Sequence, residues 1–229
     1  DDKKAKIGSR VRVSFGNTTR IGVIIDVIAA DSRPKTYKIK KINELIDEVP
    51  ILTKEMFKTC KWASSYYHHP IGQVIFSAMT PLHRKHRKEP TGELEIQHTE
   101  NFEDLILNAE QKKIYDSLIK EKKKFKVNVI RGVTGSGKTE LYAKLAKKSI
   151  EENLQILVMV PEINLIPQTL ERFKKYLKII PLQYHSNLTP TQKHKVWKAC
   201  SKEEQIIVIG TRSSIFLPFK KLGLIVVDE

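Results

Sequence analysis

Apolar and polar positions follow two different rhythms along the chain, and the change falls near residue 105. Before it, RVRVSF (10–15) alternates basic and apolar side chains, the two-residue period of a strand with one covered face. NTTR (17–20) then offers a polar turn, IGVIIDVI (21–28) reads as a buried strand, and TYKIKKI (36–42) alternates again. Over residues 53–67 the spacing becomes helical, with Thr53 as the N-cap and Met56, Phe57, Cys60 and Ala63 on one face. Residues 83–101 are polar and without period, so they read as a linker or loop.

The second half opens with an amphipathic helix, LILNAEQKKIYDSLIKEKKK (105–124). Five apolar segments follow: KVNVIRGV (126–133), QILVMVP (155–161), IIPLQYH (179–185), QIIVIGT (205–211) and LGLIVVDE (222–229). Helices are predicted near 138–152, 165–178 and 190–200. Near-continuous Val, Ile and Leu content is what strands covered on both faces require. Alternation of such strands with helices predicts a parallel, doubly wound α/β sheet.

Charge adds a partner class to this picture. The net charge is +15, with 41 basic against 26 acidic residues. Residues 1–100 hold 18 basic and 12 acidic residues, and 101–229 hold 23 and 14, so the excess is not a basic tail. A spread excess suits a polyanion such as nucleic acid, although 32 of the basic residues are Lys and compositional drift gives the same number. Cys60 and Cys200 show no pairing pattern. They argue for a reducing compartment, against a disulfide framework, and leave no zinc ligand set. No apolar run reaches the ~18 residues of a membrane helix and no signal peptide is evident, so a cytoplasmic chain without a membrane partner is expected.

The clearest chemistry lies at residues 132–139, GVTGSGKT, which is G-x-x-x-x-G-K-T between an apolar segment and a helix. The residues are Gly132, Val133, Thr134, Gly135, Ser136, Gly137, Lys138 and Thr139. Glycines let backbone N–H groups curl around a phosphate, and the helix N-terminus and Lys138 add positive charge. Thr139 supplies a hydroxyl to Mg²⁺. A P-loop nucleotide site also needs carboxylates at the end of a neighbouring strand. LIVV delivers Asp228 and Glu229 to the carboxyl edge of the sheet, where ligands bind in open α/β folds. Asp228 is expected to hold Mg²⁺ and Glu229 to polarise the attacking water. ATP and Mg²⁺ are therefore the expected cofactors, with Lys138 and Glu229 as the catalytic pair.

The run GVTGSGKTELY, VMVPEINLIPQT, YHSNLTPTQKHKVW and IVIGTRSSIFLPFKKLGLIVVDE resembles the PriA (primosomal protein N′) family, the replication-restart DNA helicases of superfamily 2. RVRVSFGNTTRIGVI and WASSYYHHPIGQVIF resemble that family's N-terminal DNA-binding domain. The resemblance implies a β-rich DNA-binding domain at 1–83, a linker at 84–107 and a RecA-like helicase lobe one at 108–229. It implies ATP-dependent 3′→5′ unwinding at stalled forks and binding of forked DNA, single strands and 3′ ends. Other primosome proteins and single-stranded-DNA-binding protein are the partners it implies. Gln111 resembles the glutamine that recognises adenine, a task its amide can do because it both donates and accepts. Residues 161–169 and 210–214, with Thr211 and Arg212, resemble segments that track single-stranded DNA. Glu162 is expected to brace a loop. Gly16 and Lys40 fall where the family holds a 3′ end.

Three departures accompany the resemblance. The family has an earlier strand that carries an acidic residue of the 3′-end pocket. It usually places a winged-helix domain where residues 84–107 leave room only for a linker. It continues past Asp228 and Glu229 into a zinc-binding insert and a second motor lobe, so Zn²⁺ is expected only there. The chain is thus expected to be an N-terminal part that is poorly active alone. Without the resemblance, Gly16 reads equally well as a hairpin glycine and Gln111 as a solvated helix residue. His68 and His69 read as turn or packing residues more than as metal ligands. Two other functions stay open: a non-catalytic module that binds forks and nucleotides, and an unrelated P-loop ATPase or kinase with a regulatory β domain.

Overall fold

The computed structural model describes residues 5–29, 39–85, 90–120, 125–133, 135–202 and 204–228. Contacts divide the chain into two units, 1–91 with 216–218, and 92–215 with 219–229.

The first unit is built on a three-stranded antiparallel sheet with order β2-β1-β3. Strand β1 spans Arg10–Phe15, β2 spans Thr18–Val23 and β3 spans Ile42–Leu45. Phe15 pairs with Thr18, so the turn is the two residues Gly16 and Asn17 and not the whole of NTTR. Gly16 takes φ +58°, which two-residue hairpin turns require and glycine supplies without steric cost. Two strand expectations are corrected. The second strand stops at Val23, five residues short of Ile28. The third pairs over INEL, because only there does the chain meet β1, with Val11 opposite Leu45. Residues 30–38, which include the first three of TYKIKKI, lie outside the described residues.

Helix α1 spans Lys54–Tyr66, and the Thr53 hydroxyl accepts from the Met56 amide as its cap. Met56, Phe57 and Cys60 are buried, with Ala63 packed beside them. Their partners come from α2, Ile71–Ala78, an element absent from the sequence reading. Val74, Ile75 and Ala78 of α2 complete the core with Leu52 and Met79. A short α3, Pro81–Lys85, follows and runs into the start of the segment expected to be loop.

A buried ion pair ties the sheet of this unit to α3. Arg10 donates through Nη2 and Nε to the two oxygens of Asp47, at 2.6 and 2.8 Å. Its Nη1 donates to the His83 carbonyl at 3.0 Å, and the Arg10 amide also meets Asp47. Both side chains are under 10% exposed, at 8% and 9%.

The second unit holds a four-stranded, all-parallel sheet with order β5-β6-β4-β7. Here β4 is Gln155–Met159, β5 Leu182–Tyr184, β6 Ile207–Gly210 and β7 Leu222–Val227. The helices are α4, Ala109–Lys120; α5, Lys138–Glu151; α6, Leu165–Tyr176; and α7, Pro190–Cys200. Thr189 and Gln192 form a reciprocal cap at the start of α7. Ile156, Leu157, Val158, Ile207, Val208 and Ile209 are 0–1% exposed. Each such side chain contributes roughly 1.5–3 kcal/mol, against about 0–1 kcal/mol for a surface ion pair such as Lys175–Glu103. The covered central strands therefore hold this unit together.

The first of the five expected strands is corrected. Residues 125–133 form no strand, and Val127, Val129 and Val133 are 75–82% exposed. An apolar run becomes a strand only when a neighbour accepts its backbone hydrogen bonds, and among the described residues none does. Ile130 alone packs against the core.

Gln155 is fully buried and fastens two loops at the amino ends of the strands. Its Oε1 accepts from the amides of Lys220 and Lys221 at 2.7 and 2.9 Å. Its Nε2 donates to the carbonyls of Cys200, Lys202 and Glu204 at 2.8–3.3 Å.

Asp47→Ala strands the Arg10 charge in the first unit. It is expected to destabilise that unit by about 3–5 kcal/mol in a denaturant titration. A loss below about 1 kcal/mol would show that Arg10 finds water or another acceptor.

Candidate nucleotide site and nucleic-acid surfaces

The glycine-rich loop follows the irregular segment 125–133 and opens directly into α5. Gly137 is the residue before the helix, at φ +79°, and no side chain caps the helix start. The first amides of α5 are thus without a side-chain acceptor and point their partial positive charge at the loop. Lys138 folds back across the loop, where Nζ donates to the carbonyls of Gly132 and Val133 at 2.8 and 3.1 Å. The Ser136 amide bonds the Val133 carbonyl at 3.2 Å, closing the turn. Gly135 and Ser136 are exposed, and Thr134 lies outside the described residues. A phosphate entering this loop would draw Lys138 away from two neutral carbonyls toward a full negative charge.

Gln111 is held against the loop from the side. Asn108 and Gln111 cap α4 reciprocally: each backbone amide donates to the other's side-chain oxygen at 2.9 Å. The Gln111 Nε2 then reaches the Gly137 carbonyl at 3.1 Å. One N–H and one lone pair of the amide remain, enough for an adenine edge while both contacts persist. A Cβ on Gly137 would displace the Gln111 amide, and the left-handed backbone there is one that side chains rarely adopt.

Thr139 sits in the first turn of α5. Its hydroxyl accepts from Arg172 Nη1 of α6 at 3.1 Å. Asp228 follows β7, and its amide bonds the Met159 carbonyl at 2.9 Å, which fixes it at the carboxyl end of β4. The Asp228 charge reaches α5. Burial, and then that charge, push the Tyr142 hydroxyl above the usual phenol range. A hydroxyl and a carboxylate are hard oxygen donors, the donor chemistry that fits Mg²⁺. Glu229 lies outside the described residues.

The carboxyl ends of β5 and β6 carry a second set of groups. The Thr211 amide bonds the Tyr184 carbonyl at 3.1 Å, and a 3-10 turn, Arg212–Phe216, follows. Gly210 lets this turn close on the strand: a Cβ there would lie 2.6 Å from the Tyr184 carbonyl oxygen and 2.8 Å from Ser214. Arg212 is exposed. His185, beside Thr211 in space, was not singled out in the sequence. Its Nδ1 is buried with no hydrogen-bond partner among the described residues, and burial followed by the Lys193 charge lowers its pKa. The 161–164 turn leads into α6, with the Glu162 carbonyl accepting from the Leu165 amide. Glu162 braces this turn through its backbone.

In the first unit, Val13 lies opposite Ile42, so the exposed Lys40 falls at the same end of the sheet as Gly16. Phe15 stands there too, 74% exposed. Among the described residues, nothing lies within 4 Å of where a Cβ on Gly16 would stand. At the end of α1, Trp62 and Tyr66 stack at 5.0 Å, Tyr67 packs edge-on, and all three are exposed. The helical reading of 53–67 named only the Met56, Phe57, Cys60 and Ala63 face and gave no sign of this cluster. His68 and His69 are turn residues: His68 takes φ +51° and the His69 amide bonds the Ser64 carbonyl.

Comparison with known families agrees with both halves of this geometry. Residues 108–229 match the model of the DEAD/DEAH box helicases, and residues 1–80 match the 3′ DNA-binding domain described for PriA. The chain belongs to the DEAD/DEAH box helicase family. Within it, the similarity runs to the replication restart protein PriA. The Rickettsia conorii protein is 34% identical over 232 residues, covering 100% of this chain and 34% of that protein. The Haemophilus influenzae protein is 28% identical over 305 residues, covering 100% of this chain and 41% of that protein. The Bacillus subtilis protein is 37% identical over 129 residues, 56% of this chain. The chain thus spans well under half the length of the first two.

Gly137→Ala forces a side chain into a left-handed backbone and against Gln111. ATP affinity, read with a fluorescent analogue, is expected to fall at least about tenfold, the equivalent of 1.4 kcal/mol of strain. Unchanged affinity would remove this loop from the nucleotide site.

Proposed function

We propose that the chain is the N-terminal part of an ATP-dependent 3′→5′ DNA helicase that restarts replication at stalled forks. Residues 1–83 form the domain for 3′ ends, 84–107 the linker and 108–229 the first motor lobe, in a cytoplasmic protein. The observation that carries the reading is the Gly132–Thr139 loop latched by Gln111 at the uncapped start of α5.

In this reading the backbone amides of 135–139 and the Lys138 ammonium bind the ATP phosphates, and Gln111 orients adenine. Thr139 and Asp228 hold Mg²⁺, which supplies positive charge to the transferred phosphate. Glu229 aligns the attacking water. Thr211 and Arg212 meet single-strand phosphates, joined by His185. Gly16 and Lys40 receive a 3′ end, and Phe15 offers its ring to the last base. Primosome proteins and single-stranded-DNA-binding protein are the partners proposed for the whole protein, and Zn²⁺ belongs to its later part.

The test is ATP turnover with and without forked DNA, beside Lys138→Ala. Slow turnover that DNA stimulates and the variant lacks is expected. Fork binding with no turnover would favour the alternative, a module that recognises forks and nucleotides without unwinding. DNA affinity should survive Lys138→Ala and fall steeply with salt, by about 0.7–0.9 log units per log unit of salt for each phosphate contacted. Phe15→Ala should weaken DNA with a free 3′ end several-fold and leave DNA with a blocked 3′ end unchanged. Equal losses on both would contradict the end-binding role.

A further inference from the structure

The Thr139 hydroxyl is the group that the proposed function assigns to Mg²⁺, yet here it already accepts from a cation. Arg172 Nη1 stands 3.1 Å from Thr139 Oγ1. Arg172 lies on α6, in the turn before Tyr176, and its side chain crosses to the first turn of α5. α6 is anchored by Ile166 and Phe173, both at most 1% exposed, so the backbone that carries Arg172 is fixed. Arg172 itself is exposed, so leaving Thr139 would not require it to repack a core.

A hydroxyl oxygen that accepts from a guanidinium presents less of its lone-pair density to a metal. A unit positive charge at that distance also opposes the approach of a divalent cation. Arg172 and Mg²⁺ therefore compete for one oxygen and for one region of negative charge on the phosphates.

We infer that Arg172 is a resident counter-cation of the nucleotide site, which occupies Thr139 when metal is absent and is displaced when Mg²⁺ arrives with ATP. It is a positioning residue that sets how strongly nucleotide binding depends on magnesium. The inference rests on the reading of 132–139 as an ATP site. It adds a fourth residue, from a different helix, to Lys138, Thr139 and Asp228.

The test measures ATP affinity for the whole chain with Mg²⁺ and with chelator, and takes the dissociation constant in chelator divided by that in Mg²⁺. Arg172→Met removes the charge and keeps the length of the side chain. Its ratio should exceed that of the unsubstituted chain about threefold or more, because binding without metal then loses the guanidinium while Mg²⁺ loses its competitor at Thr139. Arg172→Lys keeps a cation and should return the ratio toward that of the unsubstituted chain. A merely structural role would weaken both affinities alike, so an unchanged ratio in Arg172→Met overturns the inference, and so does a smaller one. No ATP binding by the unsubstituted chain, with or without metal, would overturn the functional reading itself and this inference with it.

Discussion

The structure of the second unit depends on the burial of β4 and β6 on both faces. Ile156, Leu157, Val158, Ile207, Val208 and Ile209 lose nearly all contact with water. Parallel strands so covered must run in one direction through the core, and their carboxyl ends must emerge together. The 161–164 turn follows β4, Thr211 and Arg212 follow β6, His185 follows β5 and Asp228 follows β7. No local propensity would gather these residues. Apolar packing gathers them, and Gln155 fixes the opposite ends of the strands by bonding five backbone groups from two loops.

The first unit has a different logic. Its sheet has only three strands, and β3 is four residues long. Such a sheet covers little apolar surface, so α1 and α2 supply most of the core. The buried Arg10–Asp47 pair, extended to the His83 carbonyl, joins the sheet to the end of this helical layer. A paired, hydrogen-bonded charge is tolerated there only while every partner remains.

Much of this was legible in the sequence, where periodicity and local chemistry agree. Thr53 with Met56, Phe57 and Cys60 marks α1, and β4, β6 and β7 follow their Val/Ile runs, while β5 is only the LQY end of IIPLQYH. The glycine-rich loop is visible because its geometry demands residue types at fixed spacing. Two failures have physical causes. IGQVIFSA is short and apolar on most sides, so its period does not separate a buried helix from a strand. KVNVIRGV has strand composition, but a strand is a property of pairs.

The contacts that organise the site were not legible. Gln111 meets Gly137 across 26 positions and Arg172 meets Thr139 across 33. Both are side chains on helices whose sequence pattern says only that the residue faces outward. Residue type did help with Gln111, through its resemblance to a known adenine contact, and gave no signal for Arg172, Phe15 or His185.

The central claim is that the carboxyl edge of this sheet is a nucleotide site. A crystal structure of the chain with a non-hydrolysable ATP analogue and Mg²⁺ tests it most directly. The account predicts phosphates against the amides of 135–139, with Lys138 withdrawn from the carbonyls of Gly132 and Val133. A nucleotide bound elsewhere, with Lys138 still on those carbonyls, would contradict it.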